Sequence, residues 1–118
     1  MKRRTLNYIL DDNGDPVPCD DILQWGQWFE TSGAARRIAD DKDEGPDATP
    51  IRVSTVFLGL DHQFGIGPPV LWETLVFGGA LDGAMMRYTS KADALRGHQA
   101  MCRRVKASLT RGRPDDGR

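Results

Sequence analysis

The chain has 118 residues, of which 39% are hydrophobic and 28% charged, which is enough for one modest core and too little for two. Its formal net charge is −1, but residues 1–50 hold 11 acids and 6 bases whereas residues 51–118 hold 6 acids and 10 bases. This balance argues against a nucleic-acid-binding protein, although the basic face of the last predicted helix keeps that class open as a weaker alternative.

No segment approaches the roughly 20 consecutive apolar residues that a membrane span needs. The basic residues 2–4 are not followed by the apolar run of a signal peptide, so we expect a soluble protein without membrane contact. Cys19 and Cys102 lie far apart and outside any CxxC pair. We therefore expect free thiols and no structural zinc site.

The first half of the chain predicts a hairpin followed by a helix. Residues 5–10 have the composition of a short strand, the Asn-Gly pair within 12–15 favours a tight turn, and the prolines of 16–18 restrict that segment to an edge. Asp20 or Asp21 can cap a helix over about 22–30. The apolar stripe of this helix is expected to comprise Ile22, Trp25 and Phe29, widened by Leu23 and Trp28.

The second half predicts a β-meander and a long helix. Residues 34–41 are ambiguous and favour a strand weakly, whereas 42–49 lack large apolar groups and predict a mobile loop. Residues 51–60 are apolar on both faces and predict a central strand, and 70–77 and 84–89 predict two more. Ser90 can cap a helix over about 91–109, and the tail 110–118 is expected to fray.

These elements predict a single α+β domain over 1–118, in which a small antiparallel meander packs against the two helices. An unprotected edge strand, at 84–89 or 5–10, also leaves a homodimer open. The residues expected in the core are Phe57, Leu58, Leu60, Leu71, Leu75, Phe77, Leu95 and Val105.

Four residues form the main hypothesis for a chemical site: Asp61, His62, Glu73 and His98. Two imidazoles and two carboxylates can hold a metal or exchange a proton. The strand register, which the sequence leaves open, decides whether Glu73 shares a face with Asp61 or with His62. Neither histidine has a partner at i+2 or in an HxxxH pattern. His98 and Cys102, at i and i+4, can bind a metal as a pair, but we do not favour this alternative, so no metal or other cofactor is expected.

Each of these residues also has a structural interpretation, which we favour over a catalytic one. Asp61 can cap the loop that follows it, Glu73 can pair with Arg87 or Arg52, and His98 can be a core residue held by one hydrogen bond. Other motifs fail. The calcium-like start at residue 11 has Pro16 and Ile22 where glycine and glutamate are required, and the Gly-Ile-Gly of 65–67 precedes no helix.

The tryptophans are candidates for contact with a partner. Trp25 and Trp28 lie three residues apart on a short helix, and Trp72 lies on the strand face opposite to Glu73. A domain of this size has difficulty burying three indoles, and exposed aromatic side chains are typical anchors of protein interfaces. The alternative is that all three complete a thin core.

The segments 54–62, 67–79, 81–83, 87–88 and 94–98 together carry the pattern STVFLGLDH, GPPVLWETLVFGG, LDG, RY and ALRGH. This pattern resembles a family of small uncharacterised proteins of tailed bacteriophages and prophages, and the similarity extends to 8–11 and 25–29. The resemblance implies a phage accessory protein expressed in the cytoplasm of the bacterial host.

Two hypotheses for function follow. The first is an accessory protein that binds a host or bacterial-defence protein stoichiometrically, in the manner of anti-CRISPR and other anti-defence inhibitors. The second is a small metal-dependent or acid–base hydrolase or nuclease that uses Asp61, His62, Glu73 and His98. We favour the binding protein over the enzyme.

Overall fold

The computed structural model describes residues 6–111, which adopt an α+β fold with two antiparallel sheets and three α-helices. The strands are β1 (Tyr8–Leu10), β2 (Pro16–Pro18), β3 (Arg37–Glu44), β4 (Pro50–Phe57), β5 (Trp72–Phe77) and β6 (Met85–Tyr88). The helices are α1 (Ile22–Thr31), α2 (Gly33–Arg36) and α3 (Lys91–Arg111), with a 3-10 turn at Pro46–Ala48.

The β1–β2 hairpin forms as its turn residues predict. Asp11 Oδ1 accepts hydrogen bonds from the backbone N–H groups of Asn13 and Asp15, and Gly14 takes a φ of 80° that other residues seldom adopt. The prolines of β2 are tolerated because this sheet has only two strands. Residue 5, at which the predicted strand began, lies outside the described residues.

Helix α1 begins as predicted but orients differently. Asp21 caps it by accepting from the N–H groups of residues 23 and 24. Ile22 and Leu23, expected on the buried stripe, are 60% and 77% exposed. The helix is anchored instead by Trp28, whose ring meets that of Phe57 edge-on at 6.0 Å between centroids.

The secondary structure of residues 33–49 differs most from the prediction. Residues 33–36 are helical, β3 continues to Glu44, and only 45–49 form the connection to β4. Asp41, Lys42 and Asp43 pair with residues 53, 52 and 51 of β4. Backbone pairing requires no apolar side chains, so an edge strand can be acidic, and composition alone misassigned 42–44 to a loop.

The larger sheet has the order β3-β4-β5-β6, and β4 is an interior strand as predicted. In the β4–β5 pair, Val53, Thr55 and Phe57 lie opposite Val76, Thr74 and Trp72. Strand β4 ends at Phe57 rather than at residue 60. Gly59, with a φ of 77°, lies just beyond this end and packs closely against the ring of Phe29.

Helix α3 covers one face of this sheet. Its buried residues are Ala94, His98, Met101 and Val105, and Ser90 Oγ accepts from the N–H of residue 93 as predicted. Met101 and Val105 pack in a cluster with Ile51, Val53 and Val76. Helix α3 extends through residue 111, so residues 110 and 111 are helical rather than frayed, and the remainder of the predicted tail lies outside the described residues.

The predicted core is partly correct. Phe57, Leu71 and Val105 are buried, and Leu58 and Leu75 are half-buried. Leu60, Phe77 and Leu95 are exposed. Leu95 lies one position off the buried stripe of α3, and Phe77 pairs with Arg52 on the sheet face that points away from α3.

Candidate functional site

The four residues of the predicted chemical site do not come together. Glu73 lies opposite Val56, on the sheet face away from α3, where it accepts from Arg87 Nε at 3.0 Å. His98 is buried on the α3 side. If β4 continued to residue 62, this register would place the side chains of Glu73 and His62 on the same face of the sheet. Strand β4 ends at Phe57, so the side chains no longer alternate between the two faces at residue 62.

Asp61 and His62 serve the loop that follows β4. Asp61 Oδ1 accepts from the N–H groups of Gln63 at 2.8 Å and of Val70 at 2.9 Å, which ties the two ends of the loop together. His62 Nδ1 lies 2.9 Å from the carbonyl of Leu60. The capping interpretation of Asp61 is therefore confirmed, and the convergence required by the hydrolase hypothesis is absent from residues 6–111.

His98 instead belongs to a buried chain of hydrogen bonds. Tyr88 donates to Thr74 Oγ1 at 3.0 Å, Thr74 lies 2.5 Å from Thr55 Oγ1, and Thr55 lies 2.7 Å from His98 Nδ1. At the other side of the ring, His98 Nε2 lies 2.7 Å from Asp41 Oδ2. His98 thus has two partners, not the single one expected.

One direction of donation along this chain satisfies every buried hydroxyl. Tyr88 donates to Thr74, and in that arrangement Thr74 donates to Thr55 and Thr55 to His98 Nδ1. The ring proton then lies on Nε2 and is donated to the Asp41 carboxylate. Every hydroxyl in the chain donates once, so no buried donor is left without an acceptor.

Asp41 links this chain to Cys102 and to solvent. The Cys102 thiol donates to Asp41 Oδ2 at 3.6 Å, and the Asp41 side chain is 65% exposed. The hydrogen bond from His98 lowers the pKa of Asp41. Burial, and secondly the charge of Asp41, raise the pKa of Cys102 to about 11, so its sulfur is a protonated thiol at neutral pH and a poor nucleophile.

A cavity of about 280 Å³ borders this cluster. Asp41 and Cys102 line it together with apolar groups such as Val53 and Val105 and with charged groups such as Lys106. Among the described residues, Asp41, His98 and Cys102 are the one set of three or more His, Cys, Asp or Glu side chains whose ligand atoms all lie within 4.8 Å of one another.

The sequence held only part of the information needed to find this cluster. His98 was a candidate, and its i, i+4 spacing to Cys102 placed the two residues on one face of α3. Asp41 was missed because its position depends on the pairing of β3 with β4, in which it lies opposite Val53. Nothing in the residues around Asp41 indicates that its carboxylate would contact His98 and Cys102.

The three tryptophans differ in burial, and only Trp72 belongs to the core. Trp72 is 3% exposed and packs edge-on against Phe57 at 5.6 Å, so it does not offer the exposed ring on which its predicted contact role depends. Trp25 Nε1 donates to the carbonyls of Tyr8 and Gly59. Trp25 and Trp28 are half-buried, and the contact role predicted for them stays a prediction.

A different set of apolar side chains is exposed on segments of the chain that are connected by backbone hydrogen bonds. Phe64 and Ile66 are 91% and 103% exposed, and Leu6 and Leu60 are 56% and 39% exposed. With Ile22 and Leu23 of α1 they form a set of six that we call the apolar end. Backbone hydrogen bonds run from Asp61 N to Leu6 O, and from Cys19 N, three residues before α1, to Asn7 O.

Comparisons with protein-family models, with curated proteins and with solved structures found no match to this chain. Among the described residues, no helix is both long enough and apolar enough to cross a membrane.

Proposed function

We propose that the protein acts by binding another protein through its apolar end, and that it is a phage-encoded accessory protein whose partner is a host or bacterial-defence protein. The observation that carries the binding role is the exposure of six large apolar side chains on three adjoining segments. The phage origin and the class of partner follow from the sequence resemblance.

The exposure of these side chains favours an interface because it is energetically unfavourable in the free protein. Burying a side chain the size of Phe, Leu or Ile is worth about 1.5–3 kcal/mol. Single exposed apolar residues are common on proteins, whereas clustered ones are typical of contact surfaces. Ile22 and Leu23 are particularly informative, since they are exposed on a helix whose aromatic residues are half-buried.

The loop that carries Phe64 and Ile66 is held at both ends. Asp61 binds the backbone N–H groups of residues 63 and 70, and Gln63 Nε2 donates to the carbonyl of Pro68 at 3.2 Å. A loop constrained in this way loses less conformational entropy on binding than a free one. The two side chains are therefore positioned to act as anchors.

The test is a comparison of variants at the apolar end with variants elsewhere. The tagged protein and its Phe64→Ser/Ile66→Ser double variant are used to capture proteins from a phage-infected bacterial lysate, and the affinity of any stoichiometric partner is then measured by calorimetry. Met85→Ser/Met86→Ser is the matched control, because Met85 and Met86 are 46% and 51% exposed on β6.

We expect the wild type and the β6 control to bind one partner with equal affinity, and the loop variant to bind at least about 30-fold more weakly, as for an interface hot spot of about 2 kcal/mol. All variants should keep their melting temperatures, because the changed side chains are exposed. Undiminished binding by the loop variant would refute the role of the apolar end. Self-association as the only interaction would refute the accessory role.

A further inference from the structure

We infer that Asp41, His98 and Cys102 form a binding site for a divalent transition-metal ion, and that Zn²⁺ is the ion it suits best. The three ligand atoms, Asp41 Oδ2, His98 Nε2 and Cys102 Sγ, all lie within 4.8 Å of one another. A carboxylate, an imidazole and a thiolate are the three ligand types that Zn²⁺ binds in proteins, whereas Mg²⁺ and Ca²⁺ select oxygen alone.

The two distances from Asp41 Oδ2 to the other ligand atoms can be compared with those of a tetrahedral site. Bond lengths of about 2.0 Å for nitrogen and oxygen and 2.3 Å for sulfur require neighbouring ligand atoms to lie roughly 3.3–3.6 Å apart. Cys102 Sγ lies 3.6 Å from Asp41 Oδ2. His98 Nε2 lies 2.7 Å from the same oxygen, so this pair must open by roughly 0.6 Å. The exposed side chain of Asp41 is free to make that movement.

The buried hydroxyls supply the support that a metal-binding histidine needs. A ligating Nε2 requires the ring proton on Nδ1, and Nδ1 must then donate to a neighbouring acceptor. Thr55 Oγ1 lies 2.7 Å from Nδ1. When the ring proton moves to Nδ1, the donation reverses from Thr55 through Thr74 to the hydroxyl of Tyr88, a half-buried residue at the end of the chain of hydrogen bonds.

The charges balance when the metal binds. Zn²⁺ displaces the thiol proton of Cys102 to solvent, and the resulting thiolate and the Asp41 carboxylate together neutralise the ion. The other charged groups that line the adjoining cavity are Lys42 and Asp43 of β3 and Arg103 and Lys106 of α3. Asp43 and Lys106 partly offset each other, since their charged atoms lie 3.9 Å apart.

The cavity leaves room for a fourth ligand. Asp41 and Cys102 line it while His98 lies behind them, almost fully buried. Three protein ligands beside an open position is the arrangement of zinc sites that bind water or an added molecule, rather than of closed structural sites with four protein ligands. We therefore expect a bound metal to remain accessible to small ligands in solution.

The chain offers its own controls for a test, because it contains two cysteines and two histidines in all. The full-length protein is titrated with Zn²⁺ by calorimetry, and with Co²⁺ while thiolate-to-cobalt charge transfer and tetrahedral d–d absorption are recorded. Cys102→Ser, Asp41→Asn and His98→Gln test the proposed ligands. Cys19→Ser and His62→Gln are the matched controls. Circular dichroism checks that each variant is folded.

We expect the wild type to bind one ion with both absorption bands. Cys102→Ser should abolish the charge-transfer band, and Cys102→Ser and Asp41→Asn should each weaken Zn²⁺ binding by at least tenfold. Neither control should change binding. Absence of a 1:1 complex in the wild type would overturn the site, as would loss of the charge-transfer band in Cys19→Ser. Cys102 and Asp41 are not fully buried, so the test does not depend on the stability of the His98 variant.

Discussion

Replacing Thr55 with valine should destabilise the protein by about 2–6 kcal/mol, although the two side chains have nearly the same shape. Thr55 is fully buried, and its hydroxyl contacts both Thr74 and His98. The substitution leaves His98 Nδ1 without a donor and the Thr74 hydroxyl without an acceptor. A buried polar group left unsatisfied costs about 1–3 kcal/mol, and here two such groups result.

The same reasoning predicts a graded series along the chain of hydrogen bonds. Thr74→Val also breaks two bonds, but one of them is to Tyr88, a half-buried residue at the end of the chain of hydrogen bonds, so about 1–3 kcal/mol is expected. Tyr88→Phe removes only the outermost hydroxyl and should cost about 1 kcal/mol. Urea denaturation with unchanged m-values measures the series, and Thr110→Val, an exposed helical threonine, is the control.

A double variant separates the loss of a partner from the loss of shape. Thr55→Val combined with His98→Leu removes both members of one buried hydrogen bond, and its cost should be lower than the sum of the two single costs by at least about 1 kcal/mol. Additive costs would refute the coupling. So would a neutral Thr55→Val, or a Tyr88→Phe variant as unstable as Thr55→Val.

The remaining predictions concern packing, backbone and pH. Gly97→Ala should destabilise the protein in thermal melting despite a helix-propensity gain of about 1 kcal/mol, because its Cβ would overlap the ring of Tyr88; stabilisation would contradict this contact. Phe57→Ala should cost about 3–5 kcal/mol, since Phe57 is fully buried, and an unchanged melting temperature would show that this residue does not anchor the core. The hydrogen bond from Arg52 lowers the pKa of Asp40, so the pair stabilises the fold above the usual pKa of Asp, and this contribution is lost as the pH falls through the lowered pKa. Asp40→Asn should therefore reduce the acid dependence of stability by about 0.2–1 kcal/mol, a small amount because the pair is exposed. An unaltered dependence of stability on pH would refute this prediction.

The elements that the sequence specified well are those encoded by local chemistry. The Asn13-Gly14 turn, the Asp21 cap and the β-branched run of β4 each depend on residues that are neighbours in the chain, and the structure has all three. Strand β3 was misjudged because its last residues, Lys42–Glu44, pair through the backbone with β4. Nothing in their side chains distinguishes this strand from a polar loop.

The candidate metal site likewise combines residues that local sequence identifies with one that depends on long-range pairing. His98 could be singled out because a histidine on an apolar helix stripe is unusual, and Cys102 follows from helical spacing. Asp41 lies 57 residues before His98 in the sequence, and it reaches the imidazole only because of the β3–β4 register. A bulge between residues 37 and 39 shifts that register, and composition does not reveal such a shift. The residues of α3 could therefore be predicted from local spacing, whereas Asp41 could not, because its position depends on long-range strand pairing.

The two proposed sites lie on different parts of the fold and should act independently. The metal ligands lie beside the middle of β4, where Asp41 pairs with Val53 and Thr55 contacts His98, whereas the apolar end lies beyond the end of that strand. Sites that share no contacts have nearly additive energies. Adding Zn²⁺ should leave partner affinity unchanged, and Phe64→Ser/Ile66→Ser should leave Co²⁺ absorption unchanged. A change of tenfold or more in either measurement would require a coupling of about 1.4 kcal/mol between the sites. The Thr55–Thr74–Tyr88 chain does not provide a route for it, because that chain runs across the sheet toward β6 rather than along β4 to the loop.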